Sequence, residues 1–343
     1  MKRILIVRMS ALGDIVHALP VLAAIRDARA DIDVDWLADR KYAPILGFVE
    51  GLSERIIGRP GLSKAVGRLR SREYDVAVDL QGLLKSAAMA RLSGAPRVIG
   101  FEQRALREQA AAWFYNESAA VPPRAHVVQK NLAVVPLLGL EIPAIPRFPI
   151  RIPPSAPADA MIAKAAAMGH HGIALINPGA GWPNKRWPPE RFGALARHVL
   201  DRHDLVSIVL WGGNERDLAD GVVAASGGAA VRAPETSLGD VLALAARASL
   251  MVSGDTGPLH LAAAVGTRTV GLFGPTWPER NGPWHVDDVV VSRAEVCECH
   301  HKRRCLRDAR DGGGPSLMCL NDVSVAEVTA AVDRRLASIE ARR

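Results

Sequence analysis

The sequence predicts an α/β protein of two domains, each a parallel sheet covered by helices. Three observations lead there. Strand-like and helix-like segments alternate through both halves of the chain. A proline-dense stretch, IPAIPRFPIRIPPSAPA at residues 142–158, separates the halves, and proline sustains neither a helix interior nor a central strand. The length, 343 residues, exceeds what one hydrophobic core ordinarily serves. The domains are placed at 1–150 and 158–325, with a closing helix over 326–343.

In the first half, residues 2–7 (KRILIV) read as a strand and 15–30 as an Ala-rich helix. A strand at 34–38 and short helices at 44–49 and 62–70 follow. YDVAVDL at 74–80 is a strand, followed by Gln81-Gly82 and a helix over 83–92. A strand at 98–100 and helices at 105–113 and 126–138 complete this half. In the second half, strands are expected at 173–176, 205–211, 250–253 and 267–273. Helices alternate with them at 188–201, 215–225, 238–248, 256–265 and 325–339, the first with proline in its opening turn. Two such sheets facing each other leave a cleft, and open parallel sheets bind ligands at the carboxyl ends of their strands.

Composition narrows the function class. With 49% hydrophobic and 23% charged residues the chain is globular and not disordered. No apolar run is long enough to span a bilayer. The opening apolar run is short and Arg8 follows at once, which is not a signal-peptide layout, so a cytoplasmic location is expected. All four cysteines fall between Cys297 and Cys319, unlike a disulfide-stapled secreted protein. The net charge of +7 is concentrated in residues 1–150, which carry +6. From Arg40 to Arg72 there are eight basic residues, including Arg59 and Lys64, against two acidic ones. An anionic partner would suit this half; plain solubility explains it equally well.

Five motifs carry candidate chemistry. Residues 9–17, MSALGDIVH, join the first strand to the first helix: Gly13 permits a tight turn, and Asp14 at the helix start is a candidate general base. An aspartate there also serves as an ordinary helix cap. The loop lacks GxGxxG, which counts against a nicotinamide dehydrogenase. Residues 253–260, SGDTGPLH, end a strand and open a helix, so the N–H groups of Thr256 and Gly257 suit a diphosphate. Asp255 is expected to accept from sugar hydroxyls, and His260 to meet a phosphate or a polar sugar group. In PGAGWPNKRW at 178–187, Lys185 is placed to neutralise a leaving diphosphate. In WGGNE at 211–215, Glu215 is a candidate for ribose hydroxyls. The fifth is C-x-C-x5-C-x13-C: Cys297, Cys299, Cys305 and Cys319 suit a closed structural zinc or iron site, or are simply four reduced thiols packed in a loop.

Together these segments resemble glycosyltransferase family 9, the ADP-heptose:lipopolysaccharide heptosyltransferases. The resemblance runs through RILIVRMSALGDIVHALP, YDVAVDLQGLLKSAAMARL, FYN at 114–116, NPGAGWPNKRWPPERF and SGDTGPLHLAAAVGTRTVGLFGPT. The stretch DLQGLLKS at 79–86 is most similar to the heptosyltransferase I branch. The resemblance implies the GT-B fold, two Rossmann-like domains facing across a cleft. It implies inverting, metal-independent transfer of heptose from ADP-heptose to Kdo-lipid A, with Asp14 as base and Lys185 at the diphosphate. Glu215, Asp255, Thr256, Gly257 and His260 would form the donor pocket. Ser10, Gly13, Arg59, Lys64 and Gln81 are the acceptor-side candidates. Peripheral attachment to the anionic cytoplasmic face of the inner membrane follows, and nucleic acid is not expected as a partner. The Cys-rich segment departs from the shortest members of that branch. Heptosyltransferase II, another family 9 transferase with a different acceptor, a non-catalytic nucleotide-sugar-binding protein and a sugar-nucleotide epimerase remain the alternatives.

Overall fold

A computed structural model describes residues 1–58, 62–170, 172–303, 305 and 319–337, with only the backbone of 62–64. The chain divides into two compact units, Met1–Arg151 and Ile152–Arg343. The first contains β1 (Arg3–Val7), α1 (Leu12–Val16), α2 (Leu19–Ala28), β2 (Asp33–Asp39), β3 (Glu54–Gly58) and α3 (Leu62–Arg70). It continues with β4 (Val76–Asp79), α4 (Leu84–Leu92), β5 (Arg97–Phe101), β6 (Glu117–Ala119) and α5 (Val127–Leu132). The second contains α6 (Ala156–Ala167), β7 (Gly172–Asn177), α7 (Pro189–His203), β8 (Leu205–Val209), α8 (Arg216–Ala225) and β9 (Ala230–Arg232). After these come α9 (Leu238–Ala245), β10 (Leu250–Gly254), α10 (Gly257–Ala264), β11 (Thr269–Phe273), α11 (Pro278–Asn281), β12 (Val289–Ser292) and α12 (Val325–Ala337).

Each unit holds a six-stranded sheet, ordered β3-β2-β1-β4-β5-β6 in the first and β12-β11-β10-β7-β8-β9 in the second. Neighbouring strands all pair in parallel. Counted within its own unit, each sheet has the same doubly wound order, so β7 corresponds to β1 and β10 to β4. The winding reverses between β1 and β4, and between β7 and β10. Ligands of such sheets bind just beyond the carboxyl ends of the strands at that reversal. The expected pair of Rossmann-like domains is therefore present.

Central strands covered on both faces need continuous apolar sequence, and β1 supplies it: Ile4, Leu5, Ile6 and Val7 are fully buried. Each such side chain contributes about 1.5–3 kcal/mol on leaving water. In the second unit the two faces of the sheet are packed separately. Trp187, Phe192, Leu195 and Val199 of the α7 side meet Val328 and Val332 of α12 on one face. Met161 of α6, Leu244 of α9 and Leu259 of α10 cover the other.

Where the structure departs from the reading of the sequence, proline explains several differences. The helix expected over 15–30 is two helices, because Pro20 has no N–H to donate to the carbonyl of Val16, four residues earlier. The one expected over 126–138 stops at Leu132, whose carbonyl Pro136 cannot reach, and resumes as a 3₁₀ turn at Val135–Leu138. Helix α6 begins inside the proline-dense stretch, with Pro157 in its first turn and Ser155 Oγ accepting the Ala158 N–H at 3.0 Å. The short outer strands β3, β6, β9 and β12 carry too little pattern to be read from sequence. Among the described residues, no helix is long and apolar enough to cross a membrane.

Candidate active site

In the first unit the reversal point is organised by Arg8, immediately after β1. Its guanidinium is buried, donates to the Leu80 carbonyl beyond β4, and reaches Asp14 Oδ1 at 2.7 Å. Asp14 is the third residue of α1, and its Oδ2 accepts the Ala11 N–H at 3.1 Å. The carboxylate is thus fixed in orientation while its side chain stays 41% exposed. Gln81 ties the two strand ends together by accepting the Met9 N–H at 2.7 Å. Beneath it, fully buried Asp79 accepts from Tyr115 Oη at 2.7 Å, Ser86 Oγ at 3.0 Å and the Gln81 and Gly82 amides at 2.9 and 3.3 Å. Burial raises the Asp79 carboxyl above its ordinary pKa, outweighing those hydrogen bonds. Ser10 is half-buried in the same loop. Gly13, expected at a tight turn, lies instead in the first turn of α1.

Of the other acceptor-side candidates, Arg59 lies outside the described residues, and Lys64 lies in the first turn of α3, with its side chain not described. The basic stretch is less open than its composition suggests. Arg72 Nε reaches the buried Asp35 at 2.8 Å, and Arg68 Nε bonds Glu54 at 2.7 Å. Arg40, Lys41 and Arg55 remain exposed.

In the second unit the groups gather where β7 and β10 end. Asn177 Nδ2 lies 3.0 Å from the Gly179 carbonyl and from Ser253 Oγ, and 3.2 Å from Thr256 Oγ1, which ties the two strand ends together. Lys185, in a 3₁₀ turn at Pro183–Lys185, places Nζ 2.5 Å from Asp255 Oδ2 and 4.6 Å from the Trp182 ring. A Cβ on Gly254 would stand 2.5 Å from the Lys185 carbonyl oxygen, so this close approach needs glycine. Asp255 Oδ2 also accepts from Thr276 Oγ1 at 2.8 Å, and Oδ1 lies 3.1 Å from His260 Nε2. Burial alone would raise the Asp255 carboxyl. The His260 hydrogen bond and the Lys185 charge outweigh it and hold the group well below the usual carboxylate range.

These partners give two residues placed in the donor pocket from sequence a structural role as well. Asp255, expected to receive sugar hydroxyls, already accepts from Lys185, Thr276 and His260. His260, expected as a ligand contact, is buried against Asp255. Asp255 therefore holds Lys185 in place, and His260 in turn holds Asp255. Thr256 and Gly257 do lie at the start of α10, with Gly257 its first residue. Glu215 precedes α8, 3.4 Å from Arg186 Nη2, and a Cβ on Gly179 would stand 2.0 Å from its Oε2. That glycine gives the Glu215 carboxylate its place. The structure thus joins Lys185, Asp255, Thr256, Gly257 and His260 in one cluster and sets Glu215 with Arg186 beside the Gly179 loop. Reading the sequence missed Arg8, Asn177 and Thr276. Each stands at or just past a strand end, which is the one signal that marks them.

Cys297, Cys299, Cys305 and Cys319 are all buried in one cluster. Cys299 Sγ lies 3.8 Å from Cys305 Sγ, and Cys319 Sγ lies 3.9 Å from Cys297 Sγ. Among the described residues, His198, His203 and Asp333 form a group able to ligate a cation, where both imidazole Nε2 atoms meet one carboxylate oxygen at 2.8 and 2.6 Å.

Comparison with known proteins agrees with the architecture. The model of the family described as glycosyltransferase family 9 (heptosyltransferase) matches residues 63–309. The chain is 29% identical over 320 residues to lipopolysaccharide heptosyltransferase 1 of Pseudomonas aeruginosa, covering 88% of this chain and 87% of that one. It is 27% identical over 315 residues to lipopolysaccharide heptosyltransferase 1 of Escherichia coli K12, covering 84% and 92%. Among solved structures, the E. coli heptosyltransferase WaaC with ADP is similar at a TM-score of 0.75 and 22% identity, over 98% of this chain and 99% of that one. That last likeness is one of fold.

Proposed function

The chain belongs to glycosyltransferase family 9, and from that premise we propose that it transfers a heptose from ADP-heptose to the Kdo residue of a Kdo-lipid A acceptor. Relatives at 27–29% identity that are named lipopolysaccharide heptosyltransferase 1 support the heptosyl reading. The observation that carries the chemistry is Lys185, held by Asp255 beside the N-terminus of α10. A diphosphate leaving group gains negative charge as the bond to the anomeric carbon breaks. A fixed ammonium and a helix N-terminus stabilise that charge without reorganising.

In this reading Asp14 accepts the proton of the attacking Kdo hydroxyl while the anomeric carbon is oxocarbenium-like. A single displacement inverts the anomeric centre and needs one base. Arg8 and the Ala11 N–H orient that base. Glu215 meets the ribose hydroxyls, and Thr256 with the Gly257 amide meets the diphosphate. The positive charge on the leaving group's side comes from protein groups, so no catalytic metal is assigned. Ser10 and Gln81, with Gly13, Arg59 and Lys64, form the acceptor side. The exposed Arg40, Lys41 and Arg55 suit anionic lipid heads on the cytoplasmic face of the inner membrane.

The acceptor is tested by comparing turnover on Kdo-lipid A with turnover on an acceptor that already carries one heptose. Preference for Kdo-lipid A supports the reading, and preference for the heptosylated acceptor moves the enzyme to a later step.

A further inference from the structure

Residues 293–303, between β12 and the 3₁₀ turn at Cys319–Asp322, contain no helix or strand. Yet Cys297, Cys299, Cys305 and Cys319 are 2–6% exposed, and among the described residues this buried cluster consists of cysteines alone. They are the only four cysteines in the chain. An ordinary apolar core draws on leucine, valine and alanine, as the faces of the neighbouring sheet do. The sulfur separations are informative. Four thiolates around one ion at about 2.3 Å form a tetrahedron with edges of about 3.8 Å. The pairs Cys299–Cys305 and Cys297–Cys319, 3.8 and 3.9 Å apart with no atom in common, each have the length of one edge of such a figure. A disulfide would require about 2.05 Å. The Cys299 N–H also points at Cys297 Sγ, 3.3 Å away, the kind of amide contact that orients a ligating sulfur.

What surrounds the cluster gives it a consequence. The Lys302 N–H donates to the Cys299 carbonyl at 2.7 Å, and the Lys302 carbonyl accepts from Asn184 Nδ2 at 3.0 Å. Asn184 is buried and immediately precedes Lys185. The His301 N–H donates to the Pro275 carbonyl at 2.8 Å, and the His300 ring stacks on Trp277 with centroids 4.6 Å apart. Pro275 and Trp277 flank Thr276, which donates to Asp255. Gly274 fits between: a Cβ there would lie 2.9 Å from Cys319 Sγ and 3.1 Å from the Asn184 carbonyl oxygen. The cysteine segment thus touches the loop that carries Lys185 and the loop that carries Thr276.

The geometry points to a tetrahedral four-cysteine site for one thiophilic divalent cation, zinc or ferrous iron, that braces the Lys185 and Thr276 loops and so fixes the donor subsite. The bracing role rests on the donor reading given above; the metal site itself does not. The ion is structural: all four of its positions are filled by sulfur, leaving none for substrate.

The test uses the full chain, purified anaerobically without a metal-binding tag. Elemental analysis is expected to give one zinc or iron per chain, and thiol titration in denaturant with chelator to give four thiols. Replacing the native ion with Co2+ is expected to give thiolate-to-cobalt charge transfer and tetrahedral d–d bands. Removing the ion is expected to weaken ADP binding in calorimetry about tenfold, which is ~1.4 kcal/mol, with recovery on adding Zn2+. Asn184→Ala keeps the metal and is expected to weaken ADP binding in the same direction. It is the informative variant where Cys319→Ser does not fold. No metal and no Co2+ spectrum, or two disulfides in place of four thiols, overturns the site. A bound metal whose removal leaves ADP affinity unchanged overturns the bracing. Failure of heptose transfer with metal and ADP both bound counts against the proposed reaction and leaves this site standing.

Discussion

Lys185 Nζ lies 2.5 Å from Asp255 Oδ2, and both side chains are largely removed from solvent, 14% and 6% exposed. The pair links the end of the β7 loop to the end of β10. Neither residue alone is suited to its place: an ammonium with no partner there, or a carboxylate with none, would bear the cost of burial uncompensated.

Asp255→Asn is therefore expected to destabilise the second unit by about 3 kcal/mol, because a buried pair broken on one side leaves the other charge unpaired. Denaturant unfolding of the variant and of Lys185→Met, with the double variant to close the cycle, measures the coupling. A coupling near zero would show that the pair is not the link described.

The pH dependence has a definite sign. Asp255 has a folded-state pKa below its unfolded value. Its contribution is then fully present above the unfolded value of about 4 and is lost as pH falls from there toward the folded value. The stability advantage of the wild type over Asp255→Asn should be constant between about pH 5 and 7 and shrink below about pH 4. Urea midpoints at each pH decide it; an advantage that grows on acidification contradicts the assignment.

Asp14→Ala is expected to lower turnover by a factor of about 10²–10⁴, the usual worth of a general base. ADP affinity should not change, because in this reading Asp14 acts on the acceptor hydroxyl. Arg8→Met, which removes the guanidinium that holds Asp14 Oδ1 at 2.7 Å, should lower turnover by less and leave ADP binding intact. Equal turnover of wild type and Asp14→Ala would remove Asp14 from the mechanism.

Gly254→Ala puts a methyl group 2.5 Å from the Lys185 carbonyl oxygen, and a backbone atom cannot swing aside as a side-chain end can. A loss of about 1–3 kcal/mol in stability and weaker ADP binding are expected. The three atoms nearest a methyl group in Gly179→Ala all belong to the Glu215 carboxylate, which can rotate away. This variant should spare stability and weaken nucleotide binding, if Glu215 holds the ribose. Calorimetric ADP binding and thermal unfolding on the two variants separate these cases.

Much of the fold is legible in the sequence because buried parallel strands are continuous apolar runs. ILIV at Ile4–Val7 and VAVD at Val76–Asp79 announce themselves, and the segments that follow them hold Asp14 and Gln81. The outer strands are not legible: Glu117–Ala119 and Ala230–Arg232 have three residues each, too few for a period. Partner choice is not legible either. Asp255 reads as an acid at a helix start that receives sugar hydroxyls, and only the tertiary structure shows Lys185, Thr276 and His260 converging on it from three other positions. Arg8 reads as the charge that ends an apolar run, whereas its function depends on Leu80 and Asp14 lying beside it in space.

The most direct test of the central claim is the mass of Kdo-lipid A after incubation with ADP-heptose and this protein. A gain of one heptose, absent with Asp14→Ala, is the predicted result. An unchanged acceptor mass, with ADP-heptose bound by the same preparation in calorimetry, would contradict it.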